Sequence, residues 1–157
     1  MHTLSDLLAQ GGVALDVDAT DVPACVHVLT AHLVDRGRIS PRVADRLAQA
    51  LQAREQLGST GLGNGLAIPH AYVEGMPGEL LVLARLKRPV DYGAPDGAAV
   101  DLLFLLSGPP EAQSRHLPVL ARLVRLLHDT RLLDELRGAT DVAAATEAMR
   151  SVEARHA

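Results

Sequence analysis

Three side chains in this sequence have the types needed for phosphoryl chemistry: Arg54, His70 and His116. A neutral imidazole nitrogen can attack phosphorus, while a second imidazole and a guanidinium hold the equatorial oxygens as charge develops. Spacing alone does not bring the three together. The first two bound the stretch REQLGSTGLGNGLAIPH, Arg54–His70, which packs four glycines into the eight residues Gly58–Gly65. Glycine lets a backbone take positive φ and approach a ligand closely, and Pro69 stiffens the entry to His70. The same stretch also reads as a tight helix-to-strand turn with a surface histidine beside it. Arg54 has two readings as well. It complements the dipole at the C-terminal end of a helix, or it is a partly buried fork for phosphate or carboxylate.

Other chemistries find little support. There are seven histidines but no HExxH or CxxC, and His27 and His32 stand five apart, off the i,i+4 stacking of one helix face. His2, His128 and His156 have no ligand-spaced partner, so no metal is expected. The glycine loop lacks the Gly-Lys-Ser/Thr of a nucleoside-triphosphate loop, and no strand precedes it as a dinucleotide fingerprint requires. No GxSxG elbow is present. Cys25, the single cysteine, permits neither an intramolecular disulfide nor a thiolate cluster and is expected to pack as a small apolar side chain.

The elements that must position the candidates follow from periodicity. Val13–Val17 alternates as a short strand. A helix capped by Thr20 or Asp21 carries Pro23 in its first turn, buries Val22, Val26, Leu29 and Leu33, and ends at Gly37. A second helix starts at Ser40-Pro41, with Val43, Leu47 and Leu51 as its seam and Gly58 as its stop. Arg54 falls on or beside that seam in the last turn. Leu66–Pro69 reads as a strand leading into a His70 loop. Glu79–Leu86 and Val100–Ser107 are the strongest strands, with a turn-rich connection over Lys87–Gly97. Ser114 is a candidate cap for a third helix bearing His116, Leu120, Leu123 and Leu127, with Pro118 in its first turn. His116 then lies at a helix N-terminus, where an anion is favoured. Helices over Arg131–Leu136 and Val142–Val152, the latter capped by Thr140 or Asp141, close the chain. This order suggests a sheet with helices on both faces.

Length and composition are consistent with one domain over residues 1–157, its core at about 13–150. The 157 residues are 48% hydrophobic and 22% charged, as in ordinary globular proteins. Aromatic residues make up 2%, and the net charge is −4, which argues against stacking platforms or basic patches for nucleic acid. The N-terminus MHTLSDLLAQGG has no secretory pattern. Leu102–Leu106 is too short to span a bilayer, and Leu117–Leu127 is interrupted by Arg122 and Arg125. A cytoplasmic location without direct membrane insertion is expected.

Taken together, the blocks REQLGSTGLGNGLAIPH, PVDYGAPDG (Pro89–Gly97), VDLLFLL (Val100–Leu106) and HLPVLARLVRLL (His116–Leu127) resemble the fructose/mannitol-type enzyme IIA family of the bacterial phosphotransferase system. That family includes the nitrogen-regulatory enzyme IIA proteins. The resemblance runs from about Val13 to about Met149. It implies an α/β fold, a three-layer α/β/α sandwich with a mixed β-sheet flanked by helices. It implies that His70 is the phosphorylated residue, that His116 hydrogen-bonds the phosphoryl group, and that Arg54 stabilises its charge. It implies no metal or organic cofactor, the phosphocarrier HPr as donor, and a cysteine of an enzyme IIB partner as acceptor, in sugar uptake. A regulatory role through phosphorylation-dependent protein binding is the alternative. Leu62, Leu66 and Tyr72 are the expected docking rim. The chain departs from the family at Tyr72, where a basic residue is usual, and at Pro118.

Overall fold

A computed structural model describes residues 2–156. Helix α1 (Leu4–Gly11) opens the described chain. Thr3 and Asp6 form a reciprocal capping box at its start. Its backbone amides at Leu4 and Ser5 donate to the Glu153 carboxylate at 2.6 and 2.9 Å. The sequence reading assigned no helix here, although Leu4, Leu7 and Leu8 follow a helical period and are buried. The apolar core therefore begins at Leu4, ahead of the expected residue 13, and extends to Val152.

Strand β1 (Gly12–Val17) leads to α2 (Val22–Asp35) and α3 (Pro41–Gln56), whose N-caps are Asp21 and Ser40. Three short strands follow: β2 (Gly61–Gly63), β3 (Leu66–Ala67) and β4 (His70–Tyr72). The long strands are β5 (Leu80–Val90) and β6 (Val100–Gly108). β5 continues four residues past the expected Leu86, taking in Lys87–Val90 from what the breaker residues marked as a connection. Its tail pairs Val90 with Val100 after a register shift. A 3-10 turn (Pro110–Arg115) enters α4 (His116–Leu127), and α5 (Thr130–Gly138) and α6 (Val142–Arg155) complete the chain.

The sheet order is β1-β5-β6-β3-β2, with β4 also on β6. β1 is parallel to β5, β5 antiparallel to β6, and β3 and β4 both parallel to β6. Alternation along the long strands divides their side chains between two cores. Leu81, Leu83, Leu102, Phe104 and Leu106 pack with α1, α4, α5 and α6. Val82, Ala84, Leu103 and Leu105 pack with α2 and α3, where Cys25 is fully buried and its thiol pKa is pushed up to about 11 by burial, then by Asp21. This is the expected α/β/α layering with a mixed sheet. Truncating a leucine in either layer, such as Leu47 or Leu123, removes a fully buried side chain and costs roughly 2–5 kcal/mol.

Candidate functional site

The edge of β6 positions the site. β3 pairs with its first half, Leu66 opposite Leu102, and β4 pairs with its end, His70 opposite Leu106 and Tyr72 opposite Gly108. Between them the chain breaks step at Ile68 and Pro69. His70 is thus the first residue of a resumed strand, where the sequence reading ended the strand at Pro69 and placed His70 in a loop. The break leaves the Ile68 carbonyl to accept from His70 Nδ1 at 2.8 Å. The Pro69 carbonyl still takes the Leu106 amide at 3.0 Å.

Arg54 reaches the same ring from the last turn of α3. Its Nε donates to His70 Nε2 at 3.2 Å, and a terminal nitrogen donates to the Gly58 carbonyl at 2.8 Å. Arg54 therefore closes its own helix end and also faces the histidine. Glu55 secures the glycine loop by accepting the Thr60 amide at 3.0 Å and the Thr60 hydroxyl. Two glycines of that loop are dictated by space and backbone. A Cβ at Gly61 would meet the Ala94 methyl at 2.9 Å. Gly65 has φ +81°, and a Cβ there would meet Arg137 and Asp101 at 2.6 and 2.7 Å.

The contacts on His70 determine its tautomer. A carbonyl only accepts and a guanidinium N–H only donates. Nδ1 therefore carries the proton and Nε2 the lone pair. Burial lowers the pKa of His70; the Ile68 carbonyl opposes this, Arg54 reinforces it, and Glu55 opposes it. The balance favours the neutral ring.

His116 stands against His70 with ring centroids 4.5 Å apart and planes tilted by 35°. It begins α4, as expected, but Ser114 does not cap that helix: its hydroxyl donates to Glu111 within the 3-10 turn. Arg115 holds the cap position with no side-chain cap bond, and the His116 amide is bonded to Gln113. Pro118, in the first turn as predicted, has no N–H. The helix N-terminus accordingly offers an anion fewer free donors than the sequence suggested. Burial lowers the pKa of His116, and the neighbouring His70 and Arg54 lower it further.

Tyr72 belongs to this cluster in a way the sequence reading did not foresee. Its hydroxyl lies 2.8 Å from His116 Nδ1, and the two rings meet edge to face at 5.4 Å. The available signal was H-A-Y: in a strand, i and i+2 share a face. Of the other rim candidates, Leu62 is exposed, whereas Leu66 is buried beneath the sheet edge at 3% exposure and cannot meet a partner. Leu57, beside Arg54, and Leu117, beside His116, are 85% and 74% exposed.

Comparison with known proteins identifies the family. The family model described as phosphoenolpyruvate-dependent sugar phosphotransferase system, EIIA 2, matches residues 6–152. A nitrogen regulatory protein of Pseudomonas aeruginosa is 44% identical over 96 residues, 61% of this chain and 62% of that protein. The chain spans about three-fifths of the length of such nitrogen regulatory relatives. The 2-O-alpha-mannosyl-D-glycerate-specific EIIABC component of Escherichia coli is 32% identical over 142 residues, 89% of this chain and 21% of that protein. Among solved structures, the nitrogen regulatory protein IIA-Ntr of Neisseria meningitidis superposes with a TM-score of 0.80 at 29% identity, covering 96% of this chain and 98% of that one.

Proposed function

The chain belongs to the EIIA 2 family of the phosphoenolpyruvate-dependent sugar phosphotransferase system, and from that premise we propose that it is a phosphohistidine carrier. His70 Nε2 takes a phosphoryl group from HPr and gives it to a cysteine of an enzyme IIB partner. The reading treats residues 1–157 as one such domain, working in the cytoplasm. Among the described residues, no helix is long and apolar enough to cross a membrane.

The observation that carries the reading is the pair of contacts on the His70 ring, from the Ile68 carbonyl and the Arg54 guanidinium. The Ile68 carbonyl holds the proton on Nδ1, which leaves Nε2 as a nucleophile beside the Arg54 guanidinium. In the first step the Nε2 lone pair attacks phosphorus. The P–N bond of the donor's phosphohistidine breaks, and its electron pair returns to the donor imidazole. Positive charge spreading onto the His70 ring is stabilised through Nδ1–H to Ile68. Arg54 turns its N–H groups from Nε2 to the phosphoryl oxygens. In the second step a partner thiolate attacks phosphorus and the electron pair of the N–P bond returns to Nε2. Exposed Leu57, Leu62 and Leu117 support docking by proteins around the ring.

The likeness to nitrogen regulatory proteins favours a second use of the same chemistry. Phosphorylation then adds charge at the docking face and changes which protein binds there. The sugar-specific relatives favour transport.

Intact-mass measurement after incubation with enzyme I, HPr and phosphoenolpyruvate tests the carrier reading. One acid-labile phosphoryl group on the parent and none on His70→Ala is the expected result. A His70→Ala chain that still charges overturns it. Pull-downs with phosphorylated and unphosphorylated protein separate regulation from transport.

A further inference from the structure

Burial first, then the neighbouring His70 and Arg54, favour the neutral form of the His116 ring, which has a single N–H to give. Which nitrogen carries that proton decides whether the ring donates to a phosphoryl group on His70 or opposes it with a lone pair. Nothing in the backbone makes this choice, because the Nδ1 partner is the Tyr72 hydroxyl, which can donate or accept. We propose that Tyr72 is a positioning residue that donates its hydroxyl hydrogen to His116 Nδ1, which leaves the ring proton on Nε2 for the phosphoryl oxygens.

The fold prepares this contact. Tyr72 pairs with Gly108 at the end of β6, and the chain leaves Gly108 through the 3-10 turn that delivers His116. A Cβ at Gly108 would meet the Ala112 methyl and the Glu79 Cα, each at 3.2 Å, so the turn is seated directly on the strand end. The two rings meet at 80°, with centroids 5.4 Å apart. Strand alternation places Tyr72 on the same side of β4 as His70, so the hydroxyl reaches Nδ1 of the ring that lies tilted against His70. The charged neighbours of the phenol are Glu79 and Arg115, which pair with each other at 2.7 Å. Burial above all, then Glu79 against an opposing Arg115, pushes the phenol pKa up to about 12. The hydroxyl keeps its hydrogen throughout the neutral range and is available as a donor.

This assignment rests on the carrier reading for its purpose, but its geometry is testable without phosphoryl transfer. Two-bond proton–nitrogen correlations on histidine-labelled protein read the tautomer of His116, with His116→Gln used to assign its signals. The parent is expected to show the Nε2–H form. Tyr72→Phe, which keeps the aromatic ring and its packing, is expected to show a mixture with the Nδ1–H form. Phosphoryl transfer from charged HPr is expected to slow about tenfold in Tyr72→Phe, with the melting temperature lowered by no more than a few degrees. An Nδ1–H parent, or a Tyr72→Phe tautomer identical to the parent's, overturns the proposal, as does a shifted tautomer with unchanged transfer. If the parent takes no phosphoryl group although HPr is charged, the carrier reading fails by itself, and the tautomer result alone decides whether Tyr72 sets His116.

Discussion

The two histidine rings of the site lie 4.5 Å apart but are held by different kinds of partner. His70 is gripped by a carbonyl on one nitrogen and a guanidinium N–H on the other, groups whose hydrogen-bonding sense cannot reverse. His116 is met by a hydroxyl, whose sense can reverse. The ring proposed as the nucleophile is met by main chain and a permanent cation. The ring proposed to assist it is met by one side chain at the end of β4. Constraint is strongest where a wrong tautomer would abolish the reaction and looser where it would only slow it.

This contrast can be broken in graded steps. On the carrier reading, replacing His116 with alanine removes one transition-state donor but leaves the nucleophile, so charging by HPr is expected to slow by roughly 10²–10³-fold without stopping. Complete loss in single-turnover measurements would mean that the rings are not separable in role. Arg54→Lys keeps the charge but loses the planar fork that faces both Gly58 and His70, and should slow transfer by about 10–100-fold. Parent-like rates would show that charge alone suffices. Glu55→Ala leaves the buried Thr60 amide and hydroxyl without their acceptor, for a loss of about 1–3 kcal/mol in denaturant unfolding. An unchanged midpoint would mean that the glycine loop holds itself.

The smallest effect is on pH dependence. His70, His116 and His32 all have folded-state pKa values below the ordinary 6.5, burial being the first cause in each. The unfolded chain therefore takes up protons first as pH falls, so the stability these rings contribute is complete above about 6.5 and declines below it. The melting temperature should fall from pH 6.5 downward, and less steeply in His70→Gln. Phosphoryl acceptance should be flat through neutrality and fall only on the acid side. A melting temperature that rises on acidification would contradict the burial of these rings.

Much of the framework was legible in the sequence because its causes are local. Asp21, Ser40 and Asp141 cap the helices they precede, and Gly37 follows the end of α2 with φ +71°. Both long strands appear as near-continuous apolar runs because helices cover both sides of them. Helix α1 is equally legible in Thr3, Asp6 and the leucine spacing, although it is only eight residues long. The β5 tail was obscured because Lys87, Arg88 and Pro89 resemble a turn; pairing with β6 outweighs local preference there. The strand identity of His70–Tyr72 was hidden by Pro69, which marks a break in the strand rather than its end. With that strand missed, Tyr72 appeared as rim rather than as the partner of His116.

The sequence by itself determined the family, the identities of Arg54, His70 and His116, and the local arrangement of helix end, glycine loop and proline around the first two. These depend on capping, backbone freedom and spacing within one short segment. Only the tertiary structure decided that His116 meets His70, that Tyr72 meets His116, and that Ile68 and Arg54 take the two ring nitrogens of His70. The reason is that β6 gathers two distant segments at one strand end: β4 pairs along its edge, and the turn after Gly108 delivers α4. Periodicity carries no record of which strand another strand will pair with, and the chemistry of this site depends on that pairing.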